Sequence, residues 1–315
     1  MNRATQSERS SGAARGRLLI VATAVLWSTS GLFAKAPLLD NLPVDNEALL
    51  PVRGSLLTFF RALFAGLILL PWIRRPQWSW SLAPAAGIFA VMNITIVTAL
   101  TLTTAANAVW LQATAPMWVF LVGVVALHER MVRRDLALFL FCTAGVATIL
   151  WFEIGAARAS NGAVSGVALG LISGVCYAGV ILSLRRLRDF DPVWLIALFH
   201  LVAAAVLAPW IVWQGVWPSW SQTAWLAAFG IVQMGVPYVL FARGVRAIAG
   251  HEAAFIALLE PLLVPAWVFL AWRHTAAYQA PAWGTLLGGG LILVGLASRY
   301  VGLSPSQSPA NPAED

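Results

Sequence analysis

Residues 251–272 read HEAAFIALLEPLLVPAWVFLAW. At 1.5 Å per residue a helix of this length covers about 33 Å, enough for a hydrocarbon layer of ~30 Å. Yet Glu260 stands near its centre, directly before Pro261. A carboxylate at mid-depth costs ~2.5 kcal/mol or more, so it faces a helix bundle or a watery cavity, with a partner or a proton. Pro261 removes a backbone donor and loosens the helix around it.

The stretch has an internal counterpart. Stepping back 145 positions lays Ala253 on Ala108, Pro261 on Pro116, Val264 on Val119, Ala271 on Ala126 and Gly290 on Gly145. A register of 150 lays Gly166 on Gly16, Leu169 on Leu19, Val175 on Val25, Tyr177 on Trp27 and Arg185 on Lys35. Two ordered matches at nearly one offset argue for a duplicated unit of about 150 residues.

Composition agrees with a bilayer as solvent. Of 315 residues, 60% are hydrophobic and 10% charged, against about 25% charged in soluble domains. Net charge +7 does not indicate nucleic acid, because the arginines sit in short gaps between apolar runs and no zinc, RNP or helix-turn-helix pattern receives them. Cys142 and Cys176 lie inside apolar runs and read as core residues. No metal site or cofactor is implied.

The first 16 residues are polar and read as disordered. Apolar spans follow at 18–34 and 55–73. Residues 82–127 carry no charged side chain. As one helix they would be about 69 Å long, so they fold back on themselves, with the turn at 101–107. The fifth span is 136–152, residues 153–162 are a linker, and 163–184 is the sixth. Residues 192–242, also too long for one crossing, divide at 213–221. Residues 250–272 and 282–300 complete ten helices, before a tail, 301–315, that reads as disordered. The expected fold is all-α and integral to the membrane, with five-helix repeats at 17–152 and 163–300. An odd number of helices per repeat sets the two halves in opposite orientations.

Charge placement supports the count. With both termini cytoplasmic, fifteen basic residues fall on the inner side and four outside, with Arg61 within a span. This is the positive-inside bias. Trp72, Trp78 and Trp80, and Trp213, Trp217 and Trp220, read as interfacial belts. The expected location is the inner (cytoplasmic) membrane.

Together these features resemble the ten-helix, EamA-type branch of the drug/metabolite transporter superfamily, over roughly residues 17–300. The residues that carry the resemblance are Pro116, Glu129 and Gly145 in the first half and Leu259-Glu260-Pro261 in the second. Trp27 and Tyr177 are the first-span aromatics, Arg61 is the second-span arginine, and His200 stands near its equivalent place. One departure is that Trp272-Arg273-His274 replaces a second terminal glutamate. The resemblance implies movement of small organic metabolites, such as amino acids and related compounds, frequently outward.

Candidate pathway residues are Trp27, Asn93, Asn107, Trp110, Tyr177, Gln233, Tyr238 and Glu260. Asn107, Trp110 and Thr114 share a helical face by spacing. Glu260 reads either as a proton- or amine-binding carboxylate or as a structural one. Arg61 reads either as a carboxylate binder or as a side chain snorkelling to the interface. A lone histidine on an apolar helix, His200 reads as a hydrogen-bonded core residue or a proton relay. Glu252 reads as an interfacial carboxylate. The Gly288-Gly289-Gly290 run reads as close helix packing.

The function expected is a secondary transporter working by alternating access, moving a small organic solute across the lipid bilayer. Proton coupling through Glu260 and uniport both remain open. No Walker pattern supplies ATP chemistry. The rivals are an intramembrane enzyme, against which no paired His/Asp, Ser/His or HExxH arrangement occurs, and a membrane scaffold or sensor.

Overall fold

The computed structural model describes residues 3–43, 51–126, 128, 133–156, 161–248, 250–276 and 278–300. Glu129, linker residues 157–160 and the tail 301–315 lie outside them. Among the described residues the chain is helical, without strands. Nine helices among the described residues are long and apolar enough to cross a membrane, and a shorter apolar helix at Trp283–Ser298 makes a tenth.

The first span joins α1 (Arg3–Trp27) to α2 (Ser30–Ala34). The helix therefore begins at Arg3, within the stretch expected to be disordered through residue 16. Residues 3–16 contain no proline, and three alanines and three arginines offset two glycines and three serines, so an apolar helix already formed propagates back through them. The second span is α3 (Val52–Leu69) and the third α4 (Leu82–Leu102). The fourth is divided into α5 (Ala105–Gln112) and α6 (Ala115–Ala126). The fifth to seventh are α7 (Arg133–Ala156), α8 (Asn161–Arg186) and α9 (Pro192–Gln214). The eighth runs through α10 (Trp220–Gly230), a π-helical turn (Ile231–Gly235) and α11 (Val236–Gly244). The ninth is split into α12 (Gly250–Ala257) and α13 (Leu259–Trp272), and the tenth is α14 (Trp283–Tyr300).

Both long apolar runs turn where length demanded. Thr103 leaves the helical region at ψ −175°, and Thr104 caps α5 by accepting the Asn107 amide at 3.2 Å. Gly215 ends α9 at φ +65°, a left-handed position that favours glycine. A capping box, Ser219 with Gln222, starts α10. At the other end of α9, Asp191 caps Val193 and also accepts the amides of Arg74 and Arg75. Partial burial raises its pKa, but these backbone donors outweigh that and hold the carboxyl below its usual value.

The breaks in the fourth and ninth spans share a cause. Proline cannot donate to the carbonyl four residues back, and its ring crowds that carbonyl. Pro116 faces back to Gln112, where α5 ends, and Pro261 to Ala257, where α12 ends. The freed turn at Leu111 and Gln112 lies against Gly174 of α8, where an added Cβ would stand 2.7 Å from the Leu111 carbonyl.

The main helix pairings are α7 with α14, α4 with α8, α3 with α9, α1 with α11, α4 with α9 and α5 with α8, and α5 also meets α13. Small residues bring these backbones together. A Cβ on Gly145 would lie 2.5 Å from the Gly288 carbonyl, and one on Gly288 would lie 2.6 Å from the Gly145 carbonyl. A Cβ on Gly289 would lie 1.9 Å from the Trp110 ring, whereas Gly290 faces open space. Cys142 is buried and Cys176 half-buried, both as free thiols. Trp78, Trp80, Trp213 and Trp220 are all strongly exposed.

Gly145→Val and Gly288→Val should each destabilise the detergent-solubilised protein by about 2 kcal/mol through overpacking. Gly290→Ala should leave its melting unchanged or slightly raised. Equal losses in all three variants would show that the α7–α14 contact is not closely packed.

Candidate functional site

The polar centre of the bundle is built around Arg61, in the middle of α3. Its side chain is 1% exposed, so it does not snorkel. Its position is set by Gly230 on α10, where an added Cβ would come within 2.5 Å of the Arg61 carbonyl. That close backbone approach places Phe229 and Gln233 on the guanidinium. The Phe229 ring centroid is 5.2 Å from Cζ, a cation–π distance. Nη1 donates to Gln233 Oε1 at 3.3 Å, and Nη2 donates to Asn93 Oδ1 on α4.

Each acceptor is itself fixed. Asn93 Nδ2 donates to the Phe89 carbonyl at 3.0 Å. Gln233 sits in the π-helical turn, which aims it inward, and its Nε2 donates to the Trp27 carbonyl at 3.1 Å. That carbonyl is available because α1 stops at Trp27. The Trp27 ring meets Tyr238 edge-on at 5.3 Å and Phe241 at 5.2 Å. His200 on α9 is fully buried, edge-on to Phe89 at 4.8 Å and 6.2 Å from the Tyr238 ring.

The electrostatics of this centre are unbalanced. Asn93 and Gln233 are neutral acceptors, and among the described residues the ion pairs are Arg17–Glu252 and Arg53–Asp40, neither involving Arg61. Glu260 on α13 and Tyr238 lie within electrostatic reach of the guanidinium. Arg61 Nε, Trp27 Nε1 and both nitrogens of His200 are buried without a hydrogen-bond partner among the described residues. His200 is thus in the core but not hydrogen-bonded there. Each unpaired buried group costs about 1–3 kcal/mol. A polar solute or water brought here would recover that cost.

The structure thus joins Trp27, Arg61, Asn93, Gln233, Tyr238, His200 and Glu260. It places Asn107 elsewhere, donating to Glu153 Oε1 at 2.6 Å and Thr103 Oγ1 at 3.0 Å. Thr114 lies beyond the end of α5, so it does not continue the face of Asn107 and Trp110, and its hydroxyl donates to the Leu111 carbonyl. Tyr177 is 37% exposed on α8. Glu252 accepts from Arg17 Nε, tying α12 to α1. Phe229 and Glu153 were missed in the sequence, since an apolar ring and a span-end carboxylate carry no pattern of their own.

Trp110 belongs to the ninth span's break. Its Nε1 donates to the Pro261 carbonyl at 2.7 Å. Within a helix that carbonyl would be served by residue 265, but Pro265 has no N–H. The indole supplies the missing donor and links the fourth span to the ninth.

The model of the EamA-like transporter family matches residues 14–151 and again 164–298. A protein of Archaeoglobus fulgidus named as an uncharacterized transporter is 26% identical over 289 residues, covering 89% of this chain and 94% of its own. A solved crystal structure shares the fold at a TM-score of 0.60 and 21% identity, covering 92% of this chain and 97% of its own.

Trp110→Phe should cost about 1–3 kcal/mol by stranding the Pro261 carbonyl. Adding Pro265→Ala restores a backbone donor and should recover much of that loss. Additive losses in the double variant, read from melting curves in a double-mutant cycle, would show that the indole does not serve this carbonyl.

Proposed function

The chain belongs to the EamA-like transporter family, and on that premise we propose that it is a secondary transporter exporting a small organic solute by alternating access. The observation that carries the reading is the Arg61 centre, a buried cation among neutral acceptors with unpaired donors beside it. A bundle stabilised for its own sake would pair or omit that charge. A solute with an anionic group would complete it. Trp27 and Tyr238 offer aromatic walls beside the charge. The outward direction rests on the resemblance.

Two inverted five-helix halves provide the rocking elements in this reading. Three facts support them. The family model matches twice. The breaks after Gln112 and Ala257 fall in the 145-residue register. Exchanging each span with the one five places away also maps the first–eighth contact onto the third–sixth. It returns the second–seventh, fourth–ninth and fifth–tenth contacts to themselves. A two-fold relation produces that pattern. Both termini face the cytoplasm in this arrangement. A reporter active only outside the cytoplasmic membrane should be silent when fused after residue 300 and active within residues 213–221. The reverse pattern would end the topology.

Glu260 is the coupling group in this reading. Ionised, it offsets the Arg61 charge; protonated, it leaves that charge to the solute. Glu260→Gln keeps size and most hydrogen bonding but cannot titrate. In proteoliposomes given a panel of radiolabelled amino acids and small organic acids, the wild type should move at least one member. Glu260→Gln should keep its melting temperature and lose the response of that transport to a pH gradient. Unaltered pH dependence would make Glu260 a structural carboxyl. Failure to move any of the solutes would sink the transport reading.

A further inference from the structure

The end of the bundle opposite the Arg15–Arg17 end holds the sequence's only lysine, Lys35. It follows α2 directly, and its backbone amide closes the last turn on the Gly31 carbonyl. Its side chain lines a cavity with Thr104, Val268, Trp272, Tyr278 and Gln279. Its enclosed part measures about 20 Å³, room for about one water, and the rest opens to solvent.

The chemistry of the lining is one-sided. Thr104 Oγ1 accepts the Asn107 amide at 3.2 Å, leaving its hydroxyl proton to donate. Trp272 Nε1 is committed to the Leu32 carbonyl at 3.0 Å, so its ring serves as wall. Gln279 and Tyr278 add an amide and a phenol. Among the described residues the acid that acts on Lys35, Asp40, is paired with Arg53 at 3.0 Å. Burial first, then the charge of Arg53, lower the Lys35 pKa to about 8, with Asp40 acting in the opposite sense. The ammonium is therefore cationic near neutrality and has no ion-pair partner among the described residues.

The elements that meet here are also informative. α2 and α13 are the halves beyond the breaks in the first and ninth spans, and α5 is the half of the fourth span that starts at this end. All three converge on Gly31, where an added Cβ would lie 2.7 Å from Val268 and 2.8 Å from Ala105. A ligand in the cavity therefore touches three discontinuous spans at once, at the mouth rather than at the Arg61 centre.

We propose that the Lys35 cavity is a second binding station, for the carboxylate of a small organic solute, at the mouth of the pathway. Its place on a pathway rests on the transport reading; the binding itself does not. Lys35 forms the charge-assisted contact with a carboxylate oxygen in the water-sized space, Thr104 and Gln279 donate alongside it, and the rest of the solute extends past the Trp272 and Tyr278 rings toward solvent.

The single lysine makes the test direct. Reductive ¹³C-methylation of the full-length, detergent-solubilised protein labels two amines, Lys35 and the N-terminus. Titration with acetate at constant ionic strength should move the Lys35 signal saturably. Chloride should not, and the N-terminal signal should follow neither. Thr104→Val should weaken acetate binding about ten-fold, the scale of one hydrogen bond to a charged group. A Lys35 signal that moves alike with acetate and chloride, or no more than the N-terminal one, overturns the site. Saturation by inorganic phosphate without saturation by acetate overturns the carboxylate assignment. The same preparation, reconstituted with the labelled solute panel, separates the two readings. Acetate binding at Lys35 without transport of any solute defeats the transport reading and leaves the site. Transport without the Lys35 shift defeats the site alone.

Discussion

The guanidinium of Arg61 has to be satisfied where there is no bulk water. A charge inside an apolar bundle costs several kcal/mol unless polar groups surround it. Here those groups come from different spans: Asn93 from the third, and Gln233 and Phe229 from the eighth. Gln233 then reaches the first span through the Trp27 carbonyl. One buried cation therefore fixes the positions of four spans relative to one another. Gly230 and the π-helical turn make that possible, since a side chain at 230 would hold the eighth span off the second.

Backbone hydrogen bonding sets the second constraint. In hydrocarbon every carbonyl needs a donor, and each proline removes one. The chain answers locally. Trp110 serves the carbonyl stranded by Pro265, and Gly174 lets α8 approach the turn loosened by Pro116. The result is a bundle whose first, fourth, eighth and ninth spans are discontinuous near the polar centre. Discontinuous helices leave polar backbone and side-chain groups facing inward, which continuous helices lack.

Much of the site was legible because polar residues are costly in apolar runs. Trp27, Arg61, Asn93, Gln233, Tyr238, His200 and Glu260 each stood out against their neighbours, and the fold brings them together. Asn107, Trp110 and Tyr177 stood out equally but go elsewhere. Helical spacing predicted a face for Asn107, Trp110 and Thr114, yet the break after Gln112 redirects the last of them. Spacing assumes an unbroken helix, and Pro116 removes that assumption. His200 reads as hydrogen-bonded by type, but its surroundings are the rings of Phe89 and Tyr238.

The sequence alone determined that this is a membrane protein of about ten apolar helices. Bilayer thickness converts hydrophobic length directly into spans. It also marked the positions of the prolines. Tertiary structure decided which polar residues meet, because contacts such as Arg61 with Gln233 or Trp110 with Pro261 join segments more than 150 residues apart. Pairings at such separation depend on how closely helices approach, and that is set by glycines whose role appears only once a neighbouring backbone lies against them.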